Sequence, residues 1–200
     1  MAVDESAGYQ MDEELVKRAL NGDSKAFEKL VEKYKKRVYY LAFRMTRDHD
    51  SADELAQESF VKAYQALANF KPGYNFYTWI YRICVNLSIN FLKREKHTVS
   101  ADLLREMDLL PEAKSEMDQL ERMITSEQAG IVRRALNLLP PEQKSAFILK
   151  AFDNLSYEEM ADVMDCSIGT VMSRLFRARQ KLKSALRAAE TERDIGDGKL

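Results

Sequence analysis

The stretch Asn154–Leu186, NLSYEEMADVMDCSIGTVMSRLFRARQKLKSAL, carries a helix start, a break and a basic second helix in quick succession. Ser156 and Glu159 have capping-box spacing, in which the hydroxyl takes the Glu159 N–H and the carboxylate reaches back to the Ser156 N–H. Leu155 and Met160 flank the pair at hydrophobic-staple spacing. The short helix should stop at Asp165-Cys166. Ser167 can then cap a second helix, with Gly169 in its first turn where two backbones could approach closely. Start, turn and restart have the length of a helix-turn-helix.

Placing successive side chains about 100° apart sorts the second helix by face. Val171, Leu175, Ala178, Leu182 and Leu186 form an apolar stripe. Ser173, Phe176, Arg177 and Gln180 fall on the far side, flanked by Arg174 and Lys181, with Ser167 and Thr170 at the helix start. Donors, one ring and positive charge suit base edges and phosphates in a major groove. From Gly169 to Ala189 there are six Lys or Arg and no acid, although the whole chain has a net charge of −1. The competing reading is an ordinary amphipathic helix with a solvated basic face. Cap, turn and charge together favour the groove.

Composition sets the frame. At 200 residues, 46% hydrophobic and 32% charged, the chain can bury one core or two small ones. Seven Gly and four Pro are too few for a turn-rich β fold, so the expected class is all-α. Nucleic-acid binding has to come from local charge asymmetry. Cys84 and Cys166 stand singly, without CxxC or clustered His, so no zinc site or disulfide framework is expected and both read as buried small hydrophobes in a reducing compartment. No secretory leader and no run of about 18 apolar residues is visible, which predicts a protein without membrane insertion. No nucleophile–base pair, metal cluster or phosphate loop appears, so neither catalytic residues, metal nor cofactor is expected.

Residues 1–10 read as a disordered tail. From Asp12, Leu15, Val16, Ala19 and Leu20 make a short apolar face that ends at Asn21-Gly22. Ser24–Met45 continues as a long amphipathic helix with Phe27, Leu30, Val31, Tyr34, Val38, Leu41, Ala42 and Met45 inward. The next helix is expected to open at Ser51 with a Ser51–Glu54 capping box and to run to about Ala68. Ala52, Leu55, Ala56, Phe60, Ala63 and Leu67 would pack. Asp53, Glu54, Gln57 and Glu58 would form an outward acidic face without a compensating base. Spacing leaves two readings open for these acids, complementing the helix dipole or meeting a basic partner.

Phe70–Phe76, FKPGYNF, holds the only Pro-Gly and reads as a turn. In the helix behind it, Ile80, Cys84, Leu87 and Phe91 mark a core face, while Trp79, Arg82, Asn86, Asn90 and Lys93 align on another. Together with Phe70, Lys71, Tyr74, Asn75 and Phe76, this stripe suits stacking on unpaired bases and binding their edges and phosphates. The alternative is a core tryptophan with helix-ending bases that complement the dipole. From Ala101 to Gly130 there are eight acids against three bases, read as an acidic linker over 97–125. Firm periodicity returns late, in a helix ending before Leu139-Pro140-Pro141. Pro141 opens the helix to Phe152 that supports the helix-turn-helix. Two helical lobes, 11–96 and 126–189, joined by the linker and followed by a 190–200 tail, are therefore expected.

These residues resemble the extracytoplasmic-function sigma factors, small two-domain initiation subunits of bacterial RNA polymerase. The resemblance spans Asp12–Leu186 and rests on DELAQESFVKAY (Asp53–Tyr64), FYTWIYRICVN (Phe76–Asn86), LPPEQ from Leu139 and LSYEEMADVMDCSIGTVMSRLFRAR (Leu155–Arg179), in that order. It implies a region 2-like and a region 4-like domain. Asp53, Glu54, Gln57 and Glu58 would grip the clamp helices of the polymerase's largest subunit, and the chain would also meet the flap of the second largest. The Phe70–Phe76 loop and Asn86, with Trp79, Arg82, Asn90 and Lys93 nearby, would read a flipped base of the −10 element. Ser173, Phe176 and Arg177 would read the −35 element. A cytoplasmic protein serving a stress or envelope regulon, held by an anti-sigma factor at the inner membrane, is also implied. The sequence departs from the family's pattern at KPGYN, which replaces the usual Arg-Gly of the loop, and at Met172, where several relatives carry Arg.

Two other functions fit parts of the sequence. A stand-alone helix-turn-helix repressor or activator would bind duplex DNA as free protein. An interaction protein such as an anti-sigma mimic would dock without reading DNA.

Overall fold

The computed structural model describes residues 5–71 and 73–98, together with 126–197. The expected acidic linker therefore lies almost wholly outside the described residues. The described residues are helical, without a strand: α1 (Glu5–Leu20), α2 (Ser24–Thr46), α3 (His49–Gln65), a 3-10 turn (Leu67–Asn69), α4 (Phe76–Thr98), α5 (Ser126–Asn137), α6 (Pro141–Ala151), α7 (Tyr157–Met164) and α8 (Ile168–Asp197). They form two compact units, one made chiefly of α1–α4 as far as Phe91, the other chiefly of α5, α6 and α8.

In the first unit α2 is the axis. Its Phe27, Leu30, Tyr34, Val38, Leu41, Ala42 and Met45 are buried at three- and four-residue steps, so one side of a 23-residue helix is committed to the core. Truncating a fully buried Leu such as Leu30 or Leu41 to Ala would cost about 2–5 kcal/mol. α1 packs on α2 through Leu15, Val16 and Ala19. Buried Asp12 joins it further, accepting from the Tyr34 hydroxyl and from Lys33 Nζ at 2.6 Å. Burial, followed by the bond to Asp12, pushes the Tyr34 hydroxyl far above the usual phenol range, so it remains a donor. α1 begins at Glu5, so residues 5–10, expected as tail, are its first turns.

α3 starts three residues earlier than its Ser51–Glu54 pattern predicts. Asp48 is the N-cap, with a carboxylate oxygen accepting from the Ser51 N–H at 2.7 Å. Arg47 closes α2 in the left-handed region at φ 64°, which brings Asp48 into position before Ser51 can act, and a charged acceptor makes the stronger bond. Ala52, Leu55, Ala56, Phe60 and Ala63 are buried, as the periodicity predicts. α4 meets α2 through Tyr34, which lies 5.6 Å from Phe76 between ring centroids, and through Cys84, whose thiol reaches the Val38 carbonyl at 3.7 Å. The core face of α4 is Phe76, Ile80, Tyr81, Cys84, Val85 and Ser88, turned slightly from the expected one, so Leu87 and Phe91 are half-buried.

In the second unit Ala135, Leu136 and Leu139 pack with Ala178 and Leu182. Pro141 opens α6, where its missing N–H costs nothing. α8 continues to Asp197, through most of the expected tail.

Candidate promoter and polymerase interfaces

The helix-turn-helix is assembled from local bonds. The Ser156 N–H donates to Glu159 Oε2 at 2.8 Å and the Glu159 N–H donates to Ser156 Oγ at 3.1 Å, the expected capping box. Leu155 and Met160 beside it are buried. α7 ends in a Schellman arrangement: Cys166 N–H bonds the Ala161 carbonyl at 3.1 Å and Asp165 N–H the Asp162 carbonyl at 3.4 Å. Asp165 sits at φ 49°, the left-handed position that short polar side chains tolerate. Ser167 Oγ then accepts from Thr170 N–H at 3.2 Å and starts α8. Gly169 departs from expectation: a Cβ there would meet only Ser167 Oγ at 3.9 Å, so no close approach requires it. Cys166 is half-buried, unlike Cys84.

Along α8, Val171, Leu175, Ala178 and Leu182 are buried and Leu186 is half-buried. Ser173, Phe176, Arg177, Gln180 and Lys181 are exposed, and Arg174 and Thr170 are intermediate. The Ser173 hydroxyl donates to the Thr170 carbonyl at 2.9 Å, so outward it offers lone pairs. Two exposed apolar residues, Ile168 and Met172, extend this face beyond the expected set. Their signal in the sequence was the four-residue spacing to Phe176.

On α3, Asp53, Glu54 and Gln57 are exposed and Glu58 is intermediate. Gln57 Nε2 donates to Asp53 Oδ2 at 3.0 Å, and Lys62 pairs with Glu58 at 3.3 Å, so the face has one base after all. Because the helix starts at His49, Glu54, Gln57 and Glu58 lie beyond its first turn, where dipole stabilisation has fallen away. Val61, 54% exposed, lies in the middle of the same stripe one turn on from Gln57 and Glu58. An exposed valine at that period was the missed signal of a surface not purely polar.

The Phe70–Phe76 loop divides differently from the expectation of an aromatic stacking surface. Phe70 and Phe76 are buried core residues. Trp79 is half-buried against both, with its ring 5.2 Å from Phe70 and 5.8 Å from Phe76. Their sequence separation hid this: three aromatics spaced for a loop surface also suffice to close a core. Gly73, at φ 84°, permits the Lys71–Tyr74 turn, in which Tyr74 N–H reaches the Lys71 carbonyl at 3.1 Å. Asn75 Oδ1 caps α4, accepting from Tyr77 N–H at 2.9 Å. Outward this leaves Lys71 and Tyr74, the partly exposed Trp79 and Arg82, and the exposed Asn86, Asn90 and Lys93.

Among the described residues no group of three or more His, Cys, Asp or Glu side chains could hold a metal, and no helix is long and apolar enough to cross a membrane.

Residues 30–98 match the Sigma-70 region 2 family and residues 129–182 match Sigma-70 region 4. The chain is 38% identical to the RNA polymerase sigma-H factor of Pseudomonas aeruginosa, over 88% of this chain and 94% of that protein. It is 40% identical to the ECF RNA polymerase sigma-E factor of Escherichia coli K12, over 86% of this chain and 92% of that one. Among solved structures it resembles the sigma factor RpoE of Bartonella quintana, crystallised with the anti-sigma factor NepR, at 26% identity and a TM-score of 0.59, covering 82% of this chain and 98% of that one. It also resembles CnrH in complex with the cytosolic domain of CnrY, at 26% identity and a TM-score of 0.63, covering 89% and 98%. With both regions matched in order and relatives aligned over nearly their whole length, the chain belongs to the extracytoplasmic-function sigma factors, RNA polymerase subunits of promoter recognition without catalysis of their own.

Proposed function

We propose that this sigma factor divides its work among three surfaces. Glu54, Gln57 and Glu58, with Asp53 and Val61, dock on the clamp helices of core polymerase. Tyr74, Trp79, Arg82, Asn86, Asn90 and Lys93, with Lys71, hold the unpaired −10 strand. Ser173, Phe176, Arg177, Gln180 and Lys181, with Arg174, read and grip the −35 duplex, while Ser167 and Thr170 fix the start of that helix. The observation that carries the reading is the sorting of α8: its apolar stripe is buried while Phe176, Arg177, Gln180 and Lys181 stand exposed. The acidic side chains of α3 support the dock, since their place past the first turn removes the dipole as their reason.

By the same resemblance the protein works in the cytoplasm, serves a stress or envelope regulon, and is restrained by an anti-sigma factor anchored at the inner membrane. The chain also meets the flap of the second-largest polymerase subunit. Purified chain added to core polymerase and a promoter library should give promoter-specific transcripts. Tight duplex binding by the free chain without such transcripts would instead favour a stand-alone regulator, and docking without transcripts an interaction protein.

A further inference from the structure

We infer that Met172 is a base-specificity residue that seats a thymine methyl group in the −35 element, so that this protein selects an A·T pair where an arginine at the same place would select guanine. The inference rests on the reading that α8 enters the major groove.

Ile168, Met172 and Phe176 recur every four residues and so form one row along α8. They are 41%, 52% and 62% exposed, an apolar row on a helix that already buries Val171, Leu175, Ala178 and Leu182 of its other apolar stripe in the core. The occupant of this row is set by its surroundings. Arg177, Gln180 and Lys181 are exposed beside it, and Gly169–Ala189 carries six cations and no acid. A polyanion fits that field. Within the major groove the thymine C5-methyl is the apolar group to meet, whereas guanine presents only its N7 and O6 acceptors there. Methionine has no donor for those acceptors, and its unbranched, polarizable chain adapts to a methyl surface. Ser173 is compatible with this pair. Its proton is committed to the Thr170 carbonyl at 2.9 Å, leaving lone pairs that can accept from the adenine amine, as they can from that of cytosine, so the thymine methyl is what separates the two pairs. Neighbouring side chains thus offer an apolar contact and an acceptor, the two features an A·T pair answers.

The test uses holoenzyme assembled from the full chain and core polymerase. The −35 element is first selected from duplexes randomised upstream of a fixed −10 region, and each selected thymine is then replaced by deoxyuridine, which removes the methyl and leaves the pairing edge unchanged. At one position the replacement should weaken promoter-complex formation about fourfold, the worth of one buried methyl group. Met172→Ala should bind the thymine and uracil templates alike, and Met172→Arg should shift selection at that position to guanine. Equal binding of thymine and uracil templates by the wild-type protein at every position, or a difference that survives in Met172→Ala, overturns the inference while leaving the sigma-factor reading intact. Absence of a promoter-specific complex on any template would overturn both.

Discussion

Ser156 and Glu159 satisfy each other's backbone at the start of α7, the amide of each donating to the side chain of the other at 2.8 and 3.1 Å. Loss of the hydroxyl removes the acceptor for the Glu159 N–H, and such caps are worth about 1 kcal/mol. Ser156→Ala should therefore speed hydrogen exchange at the Glu159 amide about fivefold. Glu159→Gln, which keeps an acceptor oxygen, should change exchange at Ser156 less than Glu159→Ala does. Local exchange is the right probe because a chain of two compact units has no single unfolding transition to report. An unchanged Glu159 amide in Ser156→Ala would mean that the cap contributes nothing.

At α3 the same reasoning assigns the cap to Asp48. Its carboxyl is held below the ordinary 3.8 by hydrogen bonding to the Ser51 hydroxyl and then to the Ser51 amide. A carboxylate depressed on folding contributes stability that is present above its unfolded value and lost as pH falls through the lower, folded one. Asp48→Ala should cost about 1 kcal/mol at neutral pH, and the difference from wild type should shrink below the ordinary carboxylate range. Denaturant melts followed by Trp79, the single tryptophan, which lies in the same unit, can measure both. Loss of stability in Ser51→Ala equal to that in Asp48→Ala at every pH would show that the hydroxyl, not the carboxylate, is the important group.

These two caps mark what was legible in the sequence. Ser156–Glu159 and Ser51–Glu54 share one pattern, yet only the first closes a box. The difference lies upstream, in the left-handed Arg47 that delivers Asp48, and a four-residue pattern does not contain it. Faces were read well because the helical period is local: the exposed basic side of α8 and the outward acids of α3 stand where spacing put them. Partners distant in the chain were not. Phe70 and Phe76 looked like stacking groups beside Trp79 and instead close a core that also includes Phe27 and Tyr34 from α2. Gly169 looked like a close-approach residue, and only three-dimensional placement reveals that the Ser167 hydroxyl, at ordinary contact distance, is its one near neighbour from outside the helix backbone.

Charge reversal should locate the polymerase dock. Glu58 is intermediate in exposure and paired with Lys62, whereas Glu54 is exposed. Exposed ion pairs contribute little to stability, so Glu54→Lys and Glu58→Lys should fold normally by circular dichroism. Both should fail to co-purify with core polymerase. Val61→Asp, in the same stripe, should weaken assembly as well, while Lys62→Ala should leave it nearly unchanged. Full binding by the folded Glu54→Lys and Glu58→Lys proteins would remove this face from the interface.

Two of the asparagines around the −10 surface, Asn75 and Asn86, should separate by role. Asn75 caps α4 through its Oδ1, accepting from the Tyr77 N–H at 2.9 Å, whereas Asn86 lies exposed eleven residues further along. Asn75→Asp keeps the acceptor and should preserve stability, while Asn75→Ala should lose about 1 kcal/mol. Asn86→Ala should leave stability within about 0.5 kcal/mol, as exposed substitutions do, and impair open-complex formation instead. Amides that pair with a base edge act only after the duplex opens, so the Asn86 defect should persist on a template whose −10 region is already melted. It should vanish where the identity of the −10 bases is made irrelevant, and −35 footprints should remain intact throughout. Full rescue of Asn86→Ala by pre-melting alone would assign Asn86 to strand separation rather than base capture, and normal opening by the mutant would leave it a surface amide of α4.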